Sequence, residues 1–221
     1  MHNNVNHLIS IEKEIQTKII ELNYQNYRPK IIAVSKTFNM KEILPLIDYG
    51  QKDFGENKVQ EAVAKWTGIK NDFPDIKLHM IGKLQTNKVK YVIPLFDYIH
   101  SLDNLKLAEK LSSEQLKKGK KLKIFIQLNI GNEEHKTGIT PNKLNEFYKI
   151  CINDLNLNII GLMCLPPNNQ DSNQYFLEMK KLKQTINIKE LSMGMSQDYL
   201  CAIKYEATFL RIGSKIFGQR T

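Results

Sequence analysis

The 221-residue chain has few cysteines and a single tryptophan. Its three thiols, Cys151, Cys164 and Cys201, are odd in number and share no C-x-x-C spacing. That excludes a disulfide framework or a zinc ribbon, and it fits the reducing cytoplasm. No run of about 18 uncharged apolar residues occurs, so no membrane span is expected. The opening residues, Met1-His2-Asn3-Asn4-Val5-Asn6, lack the basic stretch and apolar block of a secretory signal. Seven Pro and eleven Gly are too few for a collagen-like or low-complexity chain. Arginine is the scarce cation: of 32 basic residues only Arg28, Arg211 and Arg220 are not lysine. The formal charge of +9 is therefore spread over scattered lysines. It lacks the arginines and interleaved aromatics of a nucleic-acid site, so no nucleic-acid partner is expected.

What is present is an alternation. Leu8, Ile11, Ile15, Ile19 and Leu22 recur at spacings of three and four, which predicts an amphipathic helix over residues 5–24, ended by Arg28-Pro29. Then come short strand-like runs at 31–35, 52–55, 77–81, 97–100, 122–130, 158–164, 190–192 and 208–212. Each is followed by a helical stripe: Met40, Ile43, Leu44 and Ile47 after the first, where Pro45 implies a kink or a later start; Val59, Ala62, Val63 and Trp66 after the second. Asp103 is a candidate cap for the fourth helix of the series, and Thr140-Pro141 is a start signal for the fifth. Residues 166–173 read as a polar loop. Eight strand–helix units behind one extra N-terminal helix predict an α/β fold: a single closed (β/α)8 TIM barrel over residues 1–221. An open doubly wound sheet is disfavoured because no strand runs into G-x-G-x-x-G.

In such a barrel chemistry belongs at the C-terminal ends of the strands. Lys36 closes the first, where desolvation would favour a neutral amine able to condense with an aldehyde; a lysine reaching solvent is the plainer alternative. Leu191-Ser192-Met193-Gly194-Met195-Ser196 follows the seventh strand and Gly213-Ser214 the eighth. Small and hydroxyl residues at two helix starts suit a phosphate cradle. Arg211 brings a planar, permanent cation to the same mouth. Asn57, in the turn after the second strand, either points inward or caps a helix. An amine, an anion cradle and a guanidinium in one mouth suit a phosphorylated aldehyde, of which pyridoxal 5′-phosphate (PLP) is one.

The motifs Ala33-Val34-Ser35-Lys36, Phe54-Gly55-Glu56-Asn57-Lys58-Val59-Gln60-Glu61, His79-Met80-Ile81-Gly82-Lys83-Leu84-Gln85-Thr86-Asn87-Lys88, Lys136-Thr137-Gly138-Ile139, Gly161-Leu162-Met163, residues 191–196 and residues 211–220 resemble, in order, the pyridoxal phosphate homeostasis protein family. That family shares its barrel with the N-terminal domain of alanine racemase. The resemblance implies that Lys36 holds PLP as an internal aldimine and that Ser192, Gly213 and Ser214 take the phosphate, with Met193 or Ser196 nearby. It also implies that Arg211 faces the pyridine nitrogen and that Asn57 lines the pocket. Ser214 stands where threonine is usual, which keeps a hydroxyl, and Lys83 where histidine or proline is usual. The implied role is intracellular PLP binding and delivery, without established catalytic turnover; apo PLP-dependent enzymes are the expected recipients, and a monomer is expected because no second domain is expected to complete a shared site. A weak amino-acid racemase using Tyr91 or Tyr98 is the alternative, since the second domain that supplies the racemase tyrosine is not expected here. The polar stretch 131–138 is a candidate lid or docking loop, with Lys136 a candidate transit site. His79 and His100 read as core histidines, the latter near enough to a strand end for a pocket role.

Overall fold

All eight strand-like runs form strands, and in the computed structural model they pair in parallel and close on themselves in chain order, the first joining both the second and the eighth. The described residues are 2–167 and 170–219. Arg220 of the last motif and two residues of the 166–173 loop lie outside them. The strands are β1 (Lys30–Val34), β2 (Asp53–Glu56), β3 (Lys77–Met80), β4 (Tyr98–Leu102), β5 (Lys123–Leu128), β6 (Ile159–Cys164), β7 (Glu190–Met195) and β8 (Phe209–Ile212). The helices are α1 (Asn3–Glu21), α2 (Met40–Tyr49), α3 (Val59–Trp66), α4 (Ile69–Asp72), α5 (Val89–Leu95), α6 (Leu105–Lys118), α7 (Leu144–Lys149), α8 (Ser172–Thr185), α9 (Tyr199–Lys204) and α10 (Ser214–Phe217). The expected (β/α)8 barrel with an additional N-terminal helix is the fold observed.

Successive side chains of a strand face opposite sides, and the barrel therefore has two cores. Outward-facing residues merge with the helices into one large apolar cluster that includes Phe54, Trp66, Phe96 and Phe176. Ile32, Tyr98, Phe125, Met163 and Phe209 form a separate small cluster. The predicted stripe of α1 is real: Leu8, Ile11, Ile15 and Ile19 are buried, each contributing about 1.5–3 kcal/mol. The helix packs against α2, α9 and α10. It ends at Glu21, before the expected Tyr24, because Asn23 turns left-handed (φ 54°).

Three local expectations need correction. Of the two outcomes expected from Pro45, the later start is not seen: α2 begins at Met40, with a reciprocal cap between Asn39 and Glu42. Asn104, not Asp103, caps α6, accepting from the Leu107 amide at 2.9 Å. The seventh strand does not stop at Ser192 but continues to Met195.

Backbone approach is closest at Gly161, where a Cβ would lie 2.3 Å from the Glu190 carbonyl oxygen and 2.7 Å from the Phe125 ring. Gly161→Ala is expected to cost about 1–3 kcal/mol or more, read as a lower urea midpoint at unchanged m-value. An unchanged midpoint would mean that β6 and β7 yield more easily than this spacing implies.

Candidate functional site

Where the strands finish, a cleft of about 1190 Å³ opens among the loops that follow them. Lys36 lines it from the turn after β1 and is half-buried. The residue before it is pinned: Ser35 Oγ donates to Glu56 Oε1 at 2.8 Å, and Lys65 Nζ donates both to the Ser35 carbonyl (2.9 Å) and to Glu56 Oε1 (3.0 Å). Trp66 Nε1 donates to the same carboxylate oxygen at 2.9 Å. The residue after it, Thr37, takes a left-handed φ of 70°, with its amide on Glu61 Oε1 at 2.7 Å. The lysine is thus carried on a backbone clamped on both sides. Nothing in residue type alone singled out Glu56, Lys65 and Trp66 as the clamp.

Asn57 lines the cleft from the end of β2, and its Oδ1 is buried without a hydrogen-bond partner. Beside it Gly82 leaves no room for a side chain, since a Cβ would stand 2.4 Å from the Asn57 carbonyl oxygen. On the other flank of β1, Gly213 and Ser214 lie just past β8, and Ser196 just past β7 beyond it; all three line the cleft. Ser196 Oγ accepts from the Lys215 amide at 3.3 Å, which joins the two loops into one wall. Because α9 begins only at Tyr199 and α10 is a single turn, this wall has hydroxyls and backbone N–H groups to offer rather than a long helix dipole.

Ser192 and Met193 are not part of the wall. With β7 extended to Met195, both fall within the strand and are fully buried. Met193 joins the outer core. Ser192 faces the barrel interior, where its hydroxyl is already engaged. Arg211 Nη1 donates to Ser192 Oγ at 2.6 Å, while Arg211 Nη2 donates to the Cys164 carbonyl at 2.8 Å. His100 Nδ1 lies 2.8 Å from the same hydroxyl, His79 Nδ1 lies 2.9 Å from His100 Nε2, and His79 Nε2 lies 2.9 Å from Asp53 Oδ1. The rings are stacked, His79 on Tyr98 and His100 on Phe125, both at 4.2 Å. Both histidines are the hydrogen-bonded core groups expected from the sequence, but their connection to Arg211 was not foreseen.

Burial governs the titrations here. It pushes both His79 and His100 below the ordinary 6.5, His100 well below. It pushes the Cys164 thiol up to about 12, which makes that cysteine inert as a nucleophile. Burial also lowers Arg211 from the ordinary guanidinium range, and the side chain stays a cation. The tyrosines considered as a base lie elsewhere: Tyr98 is inside the barrel and Tyr91 is exposed on α5. No tyrosine lines the cleft among the described residues. Lys83 is exposed, and Lys136 pairs with Glu133 at 2.6 Å in the loop after β5. The described residues hold no cluster suited to a metal ion, and none of their helices is long and apolar enough to cross a membrane.

A family model described as the alanine racemase N-terminal domain matches residues 15–221. The chain is 36% identical over 200 residues to a pyridoxal phosphate homeostasis protein of Aquifex aeolicus, covering 86% of this chain and 87% of that one. It is similar to the structure of PipY from Synechococcus elongatus with PLP bound, at a TM-score of 0.79 and 32% identity, over 92% of this chain and all of the other. It also overlays alanine racemase of Clostridium difficile at a TM-score of 0.68 over 94% of this chain and 56% of that one, but at 14% identity this likeness is one of fold.

The two buried imidazoles set a pH dependence. Unfolded, each binds a proton near pH 6.5; folded, each stays neutral to a lower pH. Below about pH 6.5 the unfolded state therefore holds more protons, and stability falls with pH by up to about 1.4 kcal/mol per unit for each ring. Urea midpoints followed from neutral pH down to the carboxylate range should decline; a flat profile would contradict buried neutral histidines.

Proposed function

The chain belongs to the pyridoxal phosphate homeostasis protein family, and from that premise we propose that it binds PLP at Lys36 and serves its storage and delivery inside the cell. The observation that carries this reading is the convergence of Lys36, Asn57, Ser196, Arg211, Gly213 and Ser214 on one cleft. The donor set suits the group. Hydroxyls and backbone N–H groups at Ser196, Gly213 and Ser214 fit a phosphate. The unpartnered Asn57 Oδ1 offers a hydrogen-bond site to a polar ring substituent. The cleft is kept open where Gly82 and Gly213 carry no side chain; at Gly213 a Cβ would sit 3.3 Å from Val34 Cβ. PLP supplies an aldehyde that condenses reversibly with a primary amine, which makes capture and hand-over the same chemistry run in two directions.

The chain's own residues favour holding over turnover. Arg211 has no proton to release at the ring nitrogen, so it orients the ring without making it a strong electron sink. A second base opposite Lys36 is needed for racemisation, and the described lining of the cleft offers no tyrosine for it. The names of the curated relatives agree with a role in homeostasis. We read residues 1–221 as one domain, monomeric and cytoplasmic, with apo PLP-dependent enzymes as recipients. The three free thiols support the reducing setting.

Protein purified with PLP is expected to be yellow, and borohydride should fix the cofactor on Lys36 alone. Lys36→Ala should abolish the colour. Ser214→Ala or Ser196→Ala should weaken PLP retention about 10- to 100-fold, the loss of one hydrogen bond to a charged group. Borohydride labelling of a different lysine, or sustained inversion of L-alanine, would overturn the reading.

A further inference from the structure

The polar groups inside the barrel form one unbranched chain: Asp53, His79, His100, Ser192, Arg211. It runs from the first residue of β2, at the N-terminal end of the barrel, to Arg211 at the mouth. His79, His100 and Ser192 are fully buried, Arg211 is 4% exposed, and only Asp53 is partly open to solvent. A buried polar layer this long, inside a core otherwise made of Ile32, Tyr98, Phe125, Met163 and Phe209, costs desolvation unless every member is satisfied.

The two ends dictate every proton between them. Arg211 can only donate, so Ser192 Oγ accepts from it. The Asp53 carboxylate can only accept, so His79 must donate from Nε2. A neutral His79 then has a bare Nδ1, which accepts from His100 Nε2–H. A neutral His100 likewise has a bare Nδ1, which accepts the Ser192 hydroxyl proton. All four hydrogen bonds form at once in this one arrangement, with every donor pointing from the mouth towards Asp53. The groups packed against the chain agree with neutral rings: the faces of His79 and His100 lie on Tyr98 and Phe125. Besides Asp53, the charges that act on them are Asp97, Lys30 and Arg211.

We infer that Asp53, His79, His100 and Ser192 are positioning residues for the cofactor site: a one-way hydrogen-bonded chain that holds the Arg211 guanidinium in place, so that the N-terminal end of the barrel is coupled to the PLP ring. The inference rests on the reading that Arg211 meets that ring. It gives Ser192 a role other than phosphate binding, and it makes the two histidines part of the site without contact to the ligand.

The test has two independent halves. In the cofactor-free protein, nitrogen-resolved NMR of the imidazoles near neutral pH should show both His79 and His100 neutral with the proton on Nε2. A doubly protonated ring, or a proton on Nδ1 of either, overturns the one-way chain whether or not PLP binds. In the loaded protein, Ser192→Ala and Asp53→Ala, which removes the acceptor, are each expected to speed PLP loss about 3- to 30-fold, the coupling typical of one hydrogen-bond network. Each should also shift the pH titration of the bound chromophore. In the Ser192→Ala background the chain is already cut, so Asp53→Ala should add nothing; additive effects would show that each acts through general stability, and overturn the coupling. Asp53→Ala alone carries this half if the buried serine variant does not fold, and a wild-type spectrum and release rate in it would then refute the inference. A colourless wild-type protein would sink the functional reading instead, with the tautomers still deciding the chain.

Discussion

A guanidinium buried in the end of a barrel is the constraint on which the site depends. Arg211 makes no hydrogen bond to a carboxylate among the described residues; it is held by the Ser192 hydroxyl and the Cys164 carbonyl. Neutral acceptors hold a cation in a dry interior only if they are themselves polarised. The hydroxyl is, because it gives its own proton to an imidazole, and the imidazoles relay that demand to Asp53.

The barrel interior is accordingly divided along its length. Stacked rings and aliphatic side chains fill it, yet a polar thread passes through them from end to end. Such a thread adds little to stability compared with well-packed apolar groups, and its retention in a core of this size makes sense when it serves the site above it. On the neighbouring strand, β1, a different device holds Lys36. There the Glu56 carboxylate gathers Ser35, Lys65 and Trp66 onto one oxygen, so the turn that carries the amine is anchored to the outer layer of helices. Placement of the guanidinium and placement of the amine are thus secured by separate networks.

Much of this was legible in residue order. The alternation of short β-branched runs with helical stripes requires a parallel sheet, and eight repeats in so short a chain leave little besides a closed barrel. Lys36, Asn57, Ser196, Gly213 and Ser214 could be placed at the mouth because each follows a strand-like run, and Arg211 because it lies near the end of one. Ser192 and Met193 were misplaced for a reason in the sequence itself. Ser-Met-Gly-Met reads as a turn, since glycine and serine favour loops, while β8 pairs with β7 at Ser192 and again at Met195, across an irregularity where Gly194 takes a φ of 88°. Tertiary pairing overrode local propensity there.

The sequence by itself determined the barrel, the strand ends that carry chemistry and the kind of ligand they suit, because hydrophobic period and residue type are local properties. Only the folded chain decided that Asp53, His79, His100, Ser192 and Arg211 touch. Those five residues come from five different strands, and their contacts depend on strand register around a closed sheet. A one-residue slip would turn any of them out of the interior, and no spacing along the chain records it.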